Sequence, residues 1–139
     1  MKRDSKRVFI DTAPIIYLLE DDERYVEIVK KKIKDVLKNG GELVTSTITA
    51  MEYLVVPYRE NRFDRISAFY GFINDLDIEI CDIDIMVADR AARLRAEHDS
   101  IKGQDAIQLS CALSENCDIF LTNDRQLKRI NEIKIDCLS

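Results

Sequence analysis

Four acids in this chain stand where an α/β fold would collect them. Asp11 closes the short apolar run Val8-Phe9-Ile10, and Pro14 follows at a place suited to a first helical turn, where a missing N–H costs nothing. Asp124 repeats the pattern, since the apolar run Asp118 to Leu121 leads into Thr122-Asn123-Asp124. Glu52 lies early in a helical pattern after the strand-like run Glu42 to Thr45, and Asp105 opens a segment, Ala106 to Leu113, that is apolar almost all round. In open α/β sheets ligands bind outside the carboxyl ends of the strands, so acids at that edge are the first candidates for chemistry. Taken singly, each acid also has a plainer reading as a turn residue, a helix cap or a complement to a helix dipole.

Acids crowded at one edge raise one another's pKa and cost stability unless a divalent cation neutralises them. An all-oxygen donor set suits hard cations such as Mg²⁺ or Mn²⁺, which bind through a few carboxylates plus a substrate phosphate. Such a centre can activate water for attack on a phosphodiester and stabilise charge on the attacked and leaving oxygens. The chain holds 26 acids, so some fall at strand ends by chance, and spacing alone is only suggestive.

The elements that must position these acids are readable from periodicity. Strands are predicted at Val8–Ile10, Glu42–Thr45, Ile78–Cys81, Asp118–Leu121 and a short edge strand at 133–135. Helices are predicted from Pro14 to Glu20, from Glu23 to Lys38 with Asn39-Gly40-Gly41 as its stop, and from a Ser46 or Thr47 cap toward Pro57. Further helices span about 63–76 and 85–97, before the buried one that Asp105 opens. The expected fold is a single α/β domain over residues 1–139, with a mostly parallel central sheet flanked by helices on both faces. Pairs of helices between strands can return the chain to either edge, so strand order stays open.

Composition narrows the function. Hydrophobic residues make up 46% and charged residues 34%, with 4 Gly and 2 Pro, which describes a compact, helix-rich chain able to bury a core without disulfides. A net charge of −5 argues against electrostatic coating of nucleic acid, although a metal-loaded acidic site reverses the field locally. No apolar run is long enough to span a bilayer, and the basic N-terminal residues precede no apolar leader, which points to the cytoplasm and away from membranes. Cys81, Cys111, Cys117 and Cys137 form no C-x-x-C pair and read as reduced thiols. Zinc on Cys111, Cys117 and His98 fits no common spacing, and His98 reads as a surface or capping group. The cations Lys30, Lys31, Lys32 and Lys34, and Arg90, Arg93 and Arg95, are explained by solvated helix faces as well as by phosphate contact. The aromatic helices around Tyr53 to Phe72 carry enough apolar surface for a partner or a second copy of the chain, with plain core packing as the default.

The order of short motifs is more specific than any acid alone. Phe9-Ile10-Asp11-Thr12 with Tyr17-Leu18-Leu19-Glu20, Thr49-Ala50-Met51-Glu52-Tyr53-Leu54, Gln104-Asp105-Ala106-Ile107-Gln108-Leu109 and Phe120-Leu121-Thr122-Asn123-Asp124 together resemble the PIN-domain family over nearly the whole chain. In length and order they look like the toxin ribonucleases of VapC-type toxin–antitoxin pairs. The resemblance implies a Mg²⁺- or Mn²⁺-dependent endoribonuclease with Asp11, Glu52, Asp105 and Asp124 as the acidic positions. On that reading Asp11, Asp105 and Asp124 coordinate metal and metal-bound water, and Glu52 holds or activates the attacking water. Thr12, Thr122 and Asn123 become supporting hydrogen-bonding groups behind them. It further implies an RNA substrate, cleavage to a 5′-phosphate and a 3′-hydroxyl, a cognate antitoxin that blocks the site, and a homodimer. Lys102-Gly103-Gln104 departs from the hydrophobic lead-in common in relatives before the acid, which concerns the loop rather than Asp105.

Two other strand-end-Asp enzymes fit less well. A haloacid-dehalogenase-like phosphatase needs a second acid where Ala13 stands, and a phosphoacceptor receiver domain needs a late strand-end Lys where Thr122-Asn123-Asp124 stands. Within the resembled family the alternatives are an RNA-processing nuclease that is not a toxin, and a catalytically silent module that binds RNA or protein. All four acids are retained, which favours catalysis.

Overall fold

The computed structural model describes residues 5–139, so the basic N-terminal residues Lys2 and Arg3 lie outside it. Strands β1 (Arg7–Ile10), β2 (Glu42–Ser46), β3 (Glu79–Cys81), β4 (Ile119–Thr122) and β5 (Lys134–Cys137) form one sheet in the order β3-β2-β1-β4-β5. Every pairing is parallel, so the expectation of a mostly parallel sheet is met in full.

Parallel strands need crossovers, and the helices supply them. Helices α1 (Thr12–Leu19) and α2 (Val26–Lys38) join β1 to β2, and α3 (Thr47–Arg59) and α4 (Phe63–Asp75) join β2 to β3. All four cover one face, where Val8, Ile10, Leu43 and Leu121 pack with Ile15, Val29, Ile33, Tyr53 and Phe69. Helices α5 (Ile85–Glu97) and α6 (Gly103–Ser114) carry the chain back across the opposite face to β4. There Phe9, Val44 and Phe120 pack with Val87, Leu94, Leu109 and Cys111. The period-2 alternation of strand side chains makes this division: Phe9 faces one layer while its neighbours Val8 and Ile10 face the other. Phe9 and Phe120, paired in register, stack with ring centroids 5.2 Å apart and no exposure.

The chain leaves β1 toward one face and β4 toward the other, because the 3₁₀ helix Arg125–Arg129 after β4 buries Leu127 in the α5–α6 layer. The carboxyl ends of the adjacent strands β1 and β4 therefore flank a topological switch point, the place where open α/β sheets bind ligands. Asp11 and Asp124 are the residues at that crevice.

Several boundaries differ from expectation for local reasons. Helix α1 starts at Thr12, not Pro14, because Asp11 itself caps it, and Pro14 still falls within the first turn, where no N–H donor is missed. Helix α3 runs through Pro57 to Arg59 and ends in a turn at Asn61, whose φ is +54°. Helix α6 begins at Gly103, which places Asp105 third in its first turn. After α2, Gly40 takes a φ of +78°, while a Cβ at Gly41 would collide with the Lys6 carbonyl and the Val36 side chain.

Candidate active site

Asp11 is held from three sides. Its Oδ1 accepts from the Thr12 N–H at 2.9 Å and from Gln108 Nε2 at 3.2 Å, and its Oδ2 accepts from Thr122 Oγ1 at 2.8 Å. The hydroxyl of Thr122 in turn accepts from the Asp124 N–H at 3.1 Å, so one threonine ties the two strand-end acids together. Asp124 caps the 3₁₀ helix by accepting from the Gln126 N–H at 3.0 Å. Glu52, one turn into α3, accepts from Thr12 Oγ1 at 2.6 Å, and Thr12 lies 3.1 Å from Thr49 Oγ1. These bonds bring Asp11, Glu52 and Asp124 onto one polar framework.

Asp105 makes no such bond and joins them through charge. Burial, and then the negative charges of Asp11 and Asp124, push its pKa from 3.8 up to about 6; Glu52 adds to the rise and Lys102 opposes it. Asp11 is raised as well, by burial above all and by the charge of Glu52, against the lowering effect of its bonds to Thr122, Thr12 and Gln108. Four carboxylates from four elements thus sense one another at one edge, and an unneutralised cluster of that kind is held at a cost.

The donor set suits a hard divalent cation. Only oxygen ligands are present, Asp11 Oδ2 takes a single hydrogen bond, and Glu52 accepts through Oε1 alone, which leaves lone pairs for a metal. Mg²⁺ or Mn²⁺ fits these residues by chemistry; the carboxylates do not close to the spacing of a preformed ligand cage. Among the described residues the group whose ligand atoms lie within 4.8 Å of one another is Glu97, His98 and Glu132, at another place. There His98 caps α5 and its Nε2 meets Glu132 Oε2 at 2.9 Å, a hydrogen bond near the surface that accounts for the geometry.

Thr12 and Thr122 occupy the supporting positions read from the sequence. Asn123 faces elsewhere: its Nδ2 donates to Tyr17 Oη at 2.8 Å and its Oδ1 accepts from Ser139 Oγ at 2.7 Å. It lies in the bend just past β4, directed away from Asp11, and ties Ser139 to α1. Gln108, Thr49 and Ser46 are polar groups of the site that sequence reading passed over. Their signal was available, because Gln108 interrupts an otherwise apolar buried helix and is only 2% exposed.

The other candidates find structural employment. Lys30, Lys31 and Lys32 pair with Glu27, Asp35 and Asp136, and Arg93 with Asp89. All four cysteines are free, and burial pushes the Cys117 thiol up to about 12, far from a metal-binding thiolate. On α3 and α4, Tyr53 and Phe69 stack in the core, while Met51, Val55, Val56, Tyr58, Phe63 and Tyr70 stay exposed.

The family model for the PIN domain matches residues 8–133. Two of the solved structures similar to this chain illustrate the shared fold. VapBC2 from Rickettsia felis, bound to a DNA fragment from their promoter, is 19% identical with a TM-score of 0.72, and the match covers 94% of this chain and 98% of that one. A toxin–antitoxin complex from Klebsiella pneumoniae is 21% identical with a TM-score of 0.70, covering 91% and 94%. No curated protein matches the chain.

Proposed function

The chain belongs to the PIN domain family, and from that premise we propose that it is a Mg²⁺- or Mn²⁺-dependent endoribonuclease, the toxin of a toxin–antitoxin pair. One observation carries the reading: Asp11, Glu52, Asp105 and Asp124 meet at the switch point of the sheet, with Asp105 pushed up to about 6 by burial and then by its acidic neighbours. A structural role for four acids does not require that they share one edge and repel. Asp11, Asp105 and Asp124 would hold the cation, with Glu52 beside them; when bound, it supplies charge neutralisation at the phosphate and a more acidic water.

The chain's own residues do the rest. Thr122 and the Thr12 backbone fix the Asp11 carboxylate, so its remaining lone pair has one direction. Thr12 orients Glu52 toward the same edge, where a carboxylate can take a proton from an attacking water. Lys102 and the exposed Arg125 offer cations beside the site for the flanking phosphates of an RNA substrate.

The exposed apolar residues of α3 suit a protein partner. Met51, Leu54, Val55, Tyr58 and Arg59 line one groove, which we assign to a cognate antitoxin or a second copy of the chain. One of the similar structures is by description a toxin–antitoxin complex, which agrees with an antitoxin as the occupant. Among the described residues no helix is long and apolar enough to cross a membrane, and we place the enzyme, one domain over residues 1–139, in the cytoplasm.

Inducible expression in a bacterial host tests the reading. The wild-type chain should arrest growth and fragment RNA, Asp11→Asn should do neither, and co-expression of the small protein encoded beside it should restore growth. RNA cleavage without growth arrest would make the enzyme a processing nuclease; a harmless wild-type chain that leaves RNA intact would refute nuclease activity.

A further inference from the structure

Gln108 lies one helical turn beyond Asp105 on α6, so the same helix presents an acid to the edge and an amide to the layer beneath it. Its amide touches three elements. Nε2 donates to Asp11 Oδ1 at 3.2 Å and to Thr49 Oγ1 at 2.8 Å, and Oε1 accepts from the Ser46 hydroxyl. Ser46 can donate because its oxygen serves as the cap acceptor for the Thr49 N–H, which leaves its proton free.

Proton bookkeeping gives the network a direction. Thr49 Oγ1 accepts a hydrogen bond from Gln108 and donates its own hydrogen to Thr12 Oγ1, 3.1 Å away, because the Thr12 hydrogen is engaged elsewhere. Thr12 then spends its proton on Glu52 Oε1 at 2.6 Å. The flipped amide would present its carbonyl oxygen to Thr49 and take that hydroxyl's hydrogen, leaving the 3.1 Å contact between Thr49 and Thr12 with none, because Thr12 donates to Glu52. Only one orientation satisfies every group, and no buried side-chain N or O among the described residues lacks a partner.

We infer that Gln108 is the positioning residue of the acidic site: one amide orients Asp11 directly and Glu52 through Thr49 and Thr12, setting two carboxylates in a single register. This rests on the metal-binding reading above. Gln108 touches neither RNA nor metal, and acts only through the acids it holds. Outer partners of this kind change metal affinity by about 10- to 100-fold when removed. Buried polar networks also specify a unique arrangement only when every member is satisfied.

The test is Mn²⁺ binding by calorimetry, without RNA, on folded wild-type, Gln108→Met, Thr49→Val and Thr49→Ser proteins, with thermal melts in chelator as the control for folding. Gln108→Met should weaken Mn²⁺ binding by about 10- to 100-fold. Thr49→Val cuts the branch to Glu52 alone and should give a smaller loss, which Thr49→Ser restores because it keeps the hydroxyl. Wild-type affinity in a folded Gln108→Met, or equal losses in Thr49→Val and Thr49→Ser, would overturn the positioning role while leaving the metal site standing. A wild-type chain that binds no Mn²⁺ would overturn the metal site and this inference together. Should Gln108→Met fail to fold, the Thr49 pair decides.

Discussion

Replacing Asp105 with Asn should stabilise the metal-free protein, against the usual effect of altering a partly buried residue. An acid that titrates at about 6 in the folded chain and at 3.8 when free makes folding costlier as pH rises. The folded state binds the extra proton, so the penalty is absent below about pH 4, grows between about 4 and 6, and is complete above. The shift corresponds to about 3 kcal/mol at most, and because the carboxylate is only partly buried, solvent screening reduces it to about 1–2 kcal/mol. Asp105 also stands in the first turn of α6, where a negative charge returns about 0.3–1 kcal/mol that the amide forgoes. The net expectation is a gain of about 1 kcal/mol, or about 4 °C in Tm for a chain of this size. Melts in chelator at about pH 8 and about pH 4 read it directly: the Asp105→Asn variant should melt higher at the alkaline pH and level with wild type at the acid one. Saturating Mn²⁺ should reverse the order at the alkaline pH by stabilising wild type more. A variant that melts at or below wild type in alkaline chelator would refute the claim that the acids repel.

Other consequences concern the scaffold. Phe120→Ala removes a fully buried ring stacked on Phe9, and urea denaturation should show a loss of about 3–5 kcal/mol. Arg7 bonds Glu42 and Glu79 at 2.9 and 2.7 Å and the Glu115 carbonyl through Nε at 2.9 Å, pinning β1 to its neighbours. Both carboxylates are solvent-screened, so Arg7→Met should cost about 1 kcal/mol at neutral pH. The guanidinium holds the Glu79 carboxyl below its ordinary 4.5, so that contribution is present above this value and lost as pH falls through the lower one; the gap between the two proteins should narrow by about pH 3.

The site was legible in the sequence to the extent that each acid sits at a place with strong local grammar. Asp11 and Asp124 follow short β-prone runs, and Asp105 opens a helix too apolar to be anything but buried. Glu52 has no such marker; it lies one turn inside α3, and only the order of the motifs singles it out. Strand order was not legible because each crossover between β1 and β4 uses two helices, and pairing of helices with faces depends on packing between residues far apart in the chain. The direction of Asn123 was hidden for a related reason: adjacency to an acid does not say which way a residue's side chain turns. Gln108 stands out as a polar break in an apolar helix, but its role does not, since its partners Ser46, Thr49 and Asp11 come together only once the sheet has closed.

The central claim is that the four acids form a metal-dependent nuclease centre. Purified wild-type and Asp11→Asn proteins, incubated with single-stranded RNA and Mn²⁺ and then with excess chelator, test it most directly. Wild type should cut the RNA and leave 5′-phosphate and 3′-hydroxyl ends, chelator should stop it, and folded Asp11→Asn should leave the RNA intact. Cleavage that persists in chelator, or that Asp11→Asn carries out at the wild-type rate, would contradict the account.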